Sequence, residues 1–115
     1  VKLTQELQLE DQVTFYGVQP NPNSIVSQCD CLCLPSTYEG FPNVVMEAMA
    51  CGTPVIASNQ AGGLQQLLGH RDRGILLPPT NAGSWLHEIQ LLIGNADAAK
   101  TMTMNATDFV SQHHD

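Results

Sequence analysis

Positive charge, aromatic side chains and long apolar runs are all scarce in this chain of 115 residues. Lysine and arginine total four against eleven aspartates and glutamates, and this formal net charge of −7 argues against nucleic acid or an anionic membrane surface as a partner. The longest apolar runs fall well short of the roughly 18 to 20 residues that a membrane-spanning helix needs. No G-x-G-x-x-G follows a strand near the start, so an oxidoreductase or other dinucleotide-binding domain has little support.

Four cysteines are present, at Cys29, Cys31, Cys33 and Cys51. The first three alternate, so in a strand their side chains would share one face. Their spacing differs from that of zinc sites, and no second cluster of cysteine or histidine lies at a matching distance. We therefore predict no metal site and interpret the cysteines as small apolar residues buried in a strand and a helix. Reduced thiols indicate a cytoplasmic protein.

The centre of the chain predicts a strand, a helix and a second strand. CLCLP, which ends at Pro35, is a short apolar run typical of a buried parallel strand. Pro42 suits the first turn of a helix, Gly52 is a usual stop residue, and PVIA begins a second buried strand. The predicted fold class is α/β, a parallel sheet flanked by helices. Ligands of such sheets bind beyond the carboxyl ends of the strands, so the loops 36–41 and 58–63 should face one ligand.

Glu47 is a carboxylate within an otherwise apolar helical segment. Because the residues on both sides of it are valine, methionine and alanine, the pattern predicts a helix that is buried on every side. A buried carboxylate needs a partner, so we expect Glu47 to face a cleft or a polar ligand. Two alternatives remain open from the residues alone: Glu47 could bond to backbone amides, and Glu39 could be a solvated loop residue.

The segments on both sides of Glu47 match the motifs of one family. The matching residues are Pro35, Ser36, Glu39, Gly40, Phe41, Glu47, Ala48, Met49, Ala50, Cys51, Gly52, Pro54, Val55, Ile56, Ala57, Gly62 and Gly63. They resemble the family-four glycosyltransferases, retaining enzymes of the GT-B architecture with two Rossmann-like domains, which share two glutamates separated by seven residues. The resemblance implies that the predicted parallel sheet is Rossmann-like. VTFYG at residues 13–17 and GILLPP at residues 74–79 resemble the preceding and following strands of that family.

The resemblance implies roles for the two glutamates. Glu47 would accept hydrogen bonds from the ribose hydroxyls of a nucleotide sugar, while Glu39, the one catalytic position assigned, would lie nearer the donor sugar. Backbone amides at the helix start would meet sugar hydroxyls or phosphate oxygens, although Pro42, where many relatives have glycine, offers no N–H. Gln66 also departs from the family, which often has glutamate there. The implied donor-binding residues are Glu39, Gly40, Phe41, Asn43, Glu47, Gly62 and Gly63.

The same resemblance implies that residues 1–115 are the later part of the C-terminal nucleotide-sugar domain. We expect neither an acceptor domain nor the arginine–lysine pair that neutralises the donor diphosphate in relatives, and hence an inactive isolated chain. The parent enzyme would use a UDP- or GDP-linked sugar, without metal or cofactor, in polysaccharide, glycolipid or glycoconjugate synthesis. Its acceptor, a sugar or a lipid-linked glycan, would bind the other domain, which could also contact a membrane. The alternative is a non-catalytic nucleotide-sugar-binding or interaction module.

The remaining segments complete the predicted α/β layers. We interpret Arg71 and Arg73, the only arginines, as solvated charges in a loop before the strand GILL. Residues 81–93 predict an amphipathic helix with Trp85 in the core. A final helix over about residues 97–110 is expected to lack a packing partner.

Overall fold

The computed structural model describes residues 2–17, 20–36, 42–60 and 63–113. Within these ranges the chain forms six helices and three strands, and every element of the predicted strand–helix–strand unit is present. In chain order the elements are α1 (Lys2–Glu6), α2 (Asn23–Val26), β1 (Leu32–Leu34), α3 (Pro42–Ala50), β2 (Val55–Ser58), α4 (Leu64–Leu68), β3 (Ile75–Leu77), α5 (Ala82–Gly94) and α6 (Ala96–His113).

The three strands form one parallel sheet in the order β1-β2-β3. In the register, Cys33 lies opposite Ile56, and Ala57 lies opposite Leu76. All four residues of β2 are buried because this strand has a neighbour on each side and helices on both faces. The predicted α/β fold with a parallel sheet flanked by helices is confirmed.

Two apolar clusters cover the two faces of the sheet. On one face, Val55 and Ala57 pack with buried residues of α3 and α4 and with Ala106 of α6. On the other face, Ile56 and Ile75 pack with Trp85 of α5 and Met102 of α6. Residues 55, 56 and 57 alternate between the clusters, as the alternation of side chains along a strand requires.

Helix α5 begins as its sequence predicts. The Asn81 side chain accepts a hydrogen bond from the backbone N–H of Ser84 at 3.2 Å, which satisfies one of the free donors at the helix start. Trp85 is 8% exposed, and its indole Nε1–H donates to the carbonyl oxygen of Pro78 at 2.9 Å. Trp85 is therefore a core residue, as predicted.

Two predictions about the ends of the chain are wrong. Residues 13–17 form no strand, and Phe15 is 63% exposed, because no described strand offers this segment a ladder of hydrogen bonds. Helix α6 does have packing partners: Ala106 is buried against α3, and the Thr107 hydroxyl donates to the carbonyl oxygen of Met49 at 3.0 Å. Within the described residues, no helix has both the length and the apolar character needed to span a bilayer.

Candidate functional site

The parallel sheet brings three loops to one edge. The carboxyl ends of β1, β2 and β3 are Leu34, Ser58 and Leu77, and the chain leads from them to the starts of α3, α4 and α5. Free backbone N–H groups at helix starts can meet anionic or hydroxyl-rich ligands there. This is the edge at which open α/β sheets bind ligands, and both loops predicted from the sequence leave the sheet at it.

Glu47 lies on the outward face of α3 and is exposed to solvent. Val45, Ala48 and Met49 on the inward face are fully buried. The prediction of a helix buried on every side is therefore wrong: α3 packs one face on the sheet and turns the other outward. Asn43 is one turn before Glu47 and is also exposed, so these two polar side chains share a face. Among the residues that the structure describes, no hydrogen bond or ion pair engages the Glu47 carboxylate.

The other predicted donor-binding residues divide into two groups. Glu39, Gly40, Phe41 and Gly62 lie outside the described residues. Gly63 is described, and it precedes α4 with φ of +80°, a left-handed conformation that favours glycine. A Cβ placed on Gly63 would meet no atom within 4 Å, so the backbone conformation rather than crowding explains this glycine.

Ser58 and Asn59 fix the start of the loop that follows β2. The buried Ser58 Oγ accepts a hydrogen bond from the backbone N–H of Gln60 at 3.1 Å. The backbone N–H of Asn59 donates to the carbonyl oxygen of Leu77 at 2.9 Å, which ties this loop to the end of β3. Ser58 is not among the residues predicted from the sequence, although a polar residue at the end of an apolar strand, directly before a loop, is a signal for such a role.

Arg71 forms an ion pair with Glu88 of α5. Its two terminal nitrogens donate to the two carboxylate oxygens at 2.7 and 2.8 Å. These hydrogen bonds lower the pKa of Glu88 below its ordinary value of 4.5, against the opposing effect of burial. The interpretation of Arg71 as a solvated loop residue is confirmed, since 59% of its side chain is exposed, but its pairing with Glu88 gives it a structural role that the sequence does not indicate. Glu88 escaped prediction, although it lies one turn after Trp85 on the inward side of an amphipathic helix.

Arg73 also has structural partners. Its Nε donates to the carbonyl oxygen of Leu67 at 2.7 Å, and one terminal nitrogen donates to that of Gln66 at 3.0 Å. These two carbonyls belong to the last turn of α4, so Arg73 caps that helix. The guanidinium carbon also lies 4.1 Å from the ring centroid of Phe109, a cation–π contact. The loop 69–74 leads into the start of β3, and Arg71 also lines a cavity together with Asn59, the residue that follows β2.

The cysteines are less buried than predicted. Cys29, Cys33 and Cys51 are exposed and Cys31 is half-buried. Cys33 lies in β1, the outermost strand on its side of the described sheet, whereas Cys29 and Cys51 lie just after the ends of α2 and α3. The sulfur atoms of Cys31 and Cys33 are 3.8 Å apart. Their hydrogen bond lowers the pKa of Cys33 to about 7 and raises that of Cys31. In the described part of the chain, no group of three or more histidine, cysteine, aspartate or glutamate residues could hold a metal ion.

Comparison with known proteins agrees with the motif resemblance. A family model described as glycosyl transferases group 1 matches residues 1–109. An uncharacterized glycosyltransferase of Haemophilus influenzae is 36% identical over 95 residues, which cover 83% of this chain and 27% of that protein. The N-acetylgalactosamine-N,N'-diacetylbacillosaminyl-diphospho-undecaprenol 4-alpha-N-acetylgalactosaminyltransferase of Campylobacter jejuni is 30% identical over 91 residues, which cover 79% of this chain and 25% of that protein.

A solved structure gives the same result in three dimensions. The crystal structure of Anabaena HepE in complex with UDP and glucose superposes with a TM-score of 0.90 and 31% identity, covering 99% of this chain and 31% of that one. The chain thus spans between a quarter and a third of the lengths of these three proteins. Its sequence and its fold lead to the same conclusion: the chain belongs to the group 1 glycosyltransferases, whose structural representatives have the GT-B architecture.

Proposed function

We propose that residues 1–115 form part of the nucleotide-sugar-binding domain of a retaining glycosyltransferase, and that Glu47 binds the donor nucleotide. The observation that supports this most directly is the outward face of α3, where Asn43 and Glu47 follow one another by one turn after the carboxyl end of β1. The Glu47 carboxylate is exposed to solvent, where a ligand can reach its two oxygens.

The chemistry of a carboxylate suits the proposed role. An ionised carboxylate only accepts hydrogen bonds, and its two oxygens can take one bond each from the neighbouring hydroxyls of a ribose. Such charge-assisted bonds are about twice as strong as those between neutral groups. Glu39, in the proposed scheme, lies nearer the donor sugar, and the backbone at Gly40, Phe41, Gly62 and Gly63 approaches the sugar and the phosphates.

The described arginines are not available to neutralise a diphosphate. Arg71 is paired with Glu88, and Arg73 is engaged by Asp72 and by the last turn of α4. The formal net charge of −7 would repel a donor diphosphate unless cations or helix N–H groups came close to it. We infer that a basic group outside this chain completes the donor site.

The parent protein, on this proposal, transfers a sugar from a UDP- or GDP-linked donor to an acceptor with retention of configuration. Anabaena HepE, which has been solved with UDP and glucose, supports a nucleotide-sugar donor. We propose that an acceptor sugar or lipid-linked glycan binds a separate domain, that the product is a polysaccharide or glycoconjugate, and that no metal or resident cofactor takes part. The four free cysteines support a reducing, cytoplasmic location.

Calorimetric titration with UDP and with GDP tests this proposal. It compares the 115-residue chain with a form extended toward the N-terminus into the parent sequence. We expect the extended form to bind one nucleotide and the short chain to bind more weakly or not at all, because the cationic group is absent from it. If neither folded form binds either nucleotide, the donor-binding proposal fails and the alternative of an interaction module gains support.

The variant Glu47→Gln tests whether the nucleotide binds at α3. Loss of hydrogen bonds to a charged acceptor should weaken nucleotide binding by about 1 to 3 kcal/mol, which corresponds to roughly 5- to 150-fold in Kd. Glu6→Gln, the same chemical change on exposed α1, is the matched control and should leave affinity unchanged. Unaltered affinity in Glu47→Gln would contradict the assigned role.

A further inference from the structure

We propose that Cys33 is a site of reversible modification by low-molecular-weight disulfides, with Cys31 as the residue that activates it. Cys33 lies in β1 and Cys31 directly precedes this strand, and their two sulfur atoms are 3.8 Å apart, within reach of an S–H···S hydrogen bond. Nothing in this proposal depends on nucleotide-sugar binding, so the two proposals can fail independently.

The surroundings of the two thiols decide which one reacts. Cys31 is half-buried and packs against the apolar cluster that contains Ile56 and Trp85, whereas Cys33 is exposed. Negative charge costs less at the exposed sulfur, so Cys33 carries the thiolate and Cys31 donates its S–H to it. The pKa of Cys33, about 7, agrees with this assignment, as does the raised pKa of Cys31, to which the nearby Asp30 also contributes.

The reaction is a thiol–disulfide exchange. The Cys33 thiolate attacks one sulfur of a disulfide RSSR, the S–S bond of the reagent breaks, and a new S–S bond joins Cys33 to one RS group. The other RS group leaves as a thiolate, and Cys31 keeps its proton. A free thiol reverses the step by attacking the mixed disulfide. The adduct would lie on the strand that leads into the loop before α3.

Oxidised glutathione is a suitable probe, with adducts located by intact mass and peptide mapping. Cys29 and Cys51 serve as internal controls because both are exposed, but their sulfur atoms donate to the backbone carbonyls of Ile25 and Ala48 and, unlike Cys33, have no second thiol as a hydrogen-bond partner among the described residues. We expect Cys33 to be modified first near neutral pH. Faster modification of either control cysteine would overturn the proposal.

Variants of Cys31 separate activation from simple exposure. Cys31→Ala removes the donor, whereas Cys31→Ser keeps one. At pH 7 a thiol with the usual pKa of about 8.5 is about 3% ionised, whereas Cys33 is about half ionised, which is a roughly sixteenfold advantage in thiolate. The Cys33 thiolate is the weaker base and hence the weaker nucleophile, and this reduces its advantage in rate to about threefold. We therefore expect Cys31→Ala to slow the modification of Cys33 about threefold and Cys31→Ser to preserve most of the rate.

The pH dependence gives an independent measurement. Near pH 9.5 Cys33 is ionised both in the wild type and in Cys31→Ala. Because the wild-type thiolate is the weaker base, Cys33 should then react about fivefold more slowly in the wild type than in Cys31→Ala. Equal rates in the wild type and Cys31→Ala at both pH values would overturn the proposed activation. Loss of two hydrogens without an adduct would show a Cys31–Cys33 disulfide, which would overturn the assignment of a mixed disulfide.

Discussion

The ion pair between Arg71 and Glu88 should stabilise this chain measurably and only above a certain pH. The two hydrogen bonds of 2.7 and 2.8 Å join the loop before β3 to the middle of α5. The side chain of Glu88 is 10% exposed and that of Arg71 is 59% exposed. Replacing Glu88 with glutamine preserves the size of the side chain, but it removes the charge and turns one acceptor oxygen into a donor that faces the guanidinium.

The expected cost follows from burial and exposure together. Hydrogen bonds to charged groups contribute about 1.5 to 3 kcal/mol when they are well shielded. Because water reaches more than half of the Arg71 side chain, screening reduces this, and we expect Glu88→Gln to lower the free energy of unfolding by about 1 to 1.5 kcal/mol near pH 7.

The sign of the pH dependence follows from the lowered pKa of Glu88. A carboxylate with a depressed pKa in the folded state stabilises the fold above its ordinary value of 4.5, and this contribution disappears as the pH falls through the lower, folded-state pKa. The difference in unfolding free energy between wild type and Glu88→Gln should therefore be constant from about pH 7 to 5 and shrink below that.

Urea denaturation followed by circular dichroism measures these differences. The matched control is Glu47→Gln, the same chemical change at an exposed carboxylate without a partner among the described residues, for which we expect a change within about 0.5 kcal/mol. The reasoning is refuted if Glu88→Gln costs no more than Glu47→Gln, or if its cost does not fall at low pH.

Two further substitutions test the packing around the sheet, and the effect of each on stability can be measured as a change in melting temperature by circular dichroism. Trp85→Phe removes the 2.9 Å hydrogen bond to the Pro78 carbonyl oxygen and should cost about 1 kcal/mol or more; an unchanged melting temperature would contradict a role for that bond. Gly74→Ala would place a Cβ 2.6 Å from Cδ2 of the fully buried Leu68, so we expect a loss of about 1 to 3 kcal/mol from overpacking, and a neutral result would mean that Leu68 moves freely.

Local signals were sufficient to predict the central strand–helix–strand unit. Pro42 begins α3, and Gly52, with φ of +80°, follows its end, as the positions of proline and glycine in the sequence predict. The continuous apolar character of PVIA predicts a strand covered on both faces, and β2 is fully buried. These features depend on residues close in sequence, and short-range rules capture them.

Features that depend on distant residues escaped prediction. Arg71 and Glu88 are 17 positions apart, and neither residue alone indicates that the loop and the helix meet. The exposure of Cys33 depends on the position of β1 at the edge of the described sheet, which the alternation of cysteines does not reveal. The segment 13–17 has the composition of a strand, but a strand also needs a neighbour, and the described residues provide none.

The exposure of Glu47 changes the argument for its function. A buried carboxylate would need a partner for the fold to be stable, and the sequence suggested a ligand for that reason. An exposed carboxylate needs no partner, so burial is not an argument for a ligand at Glu47. The remaining arguments are its position beside Asn43 on the helix that follows the carboxyl end of β1, and the family membership of the chain. The same substitution should therefore affect different properties at the two positions. Glu47→Gln should weaken nucleotide binding, whereas Glu88→Gln should lower the stability of the fold. A loss of stability at Glu47 would indicate a structural partner in place of a ligand.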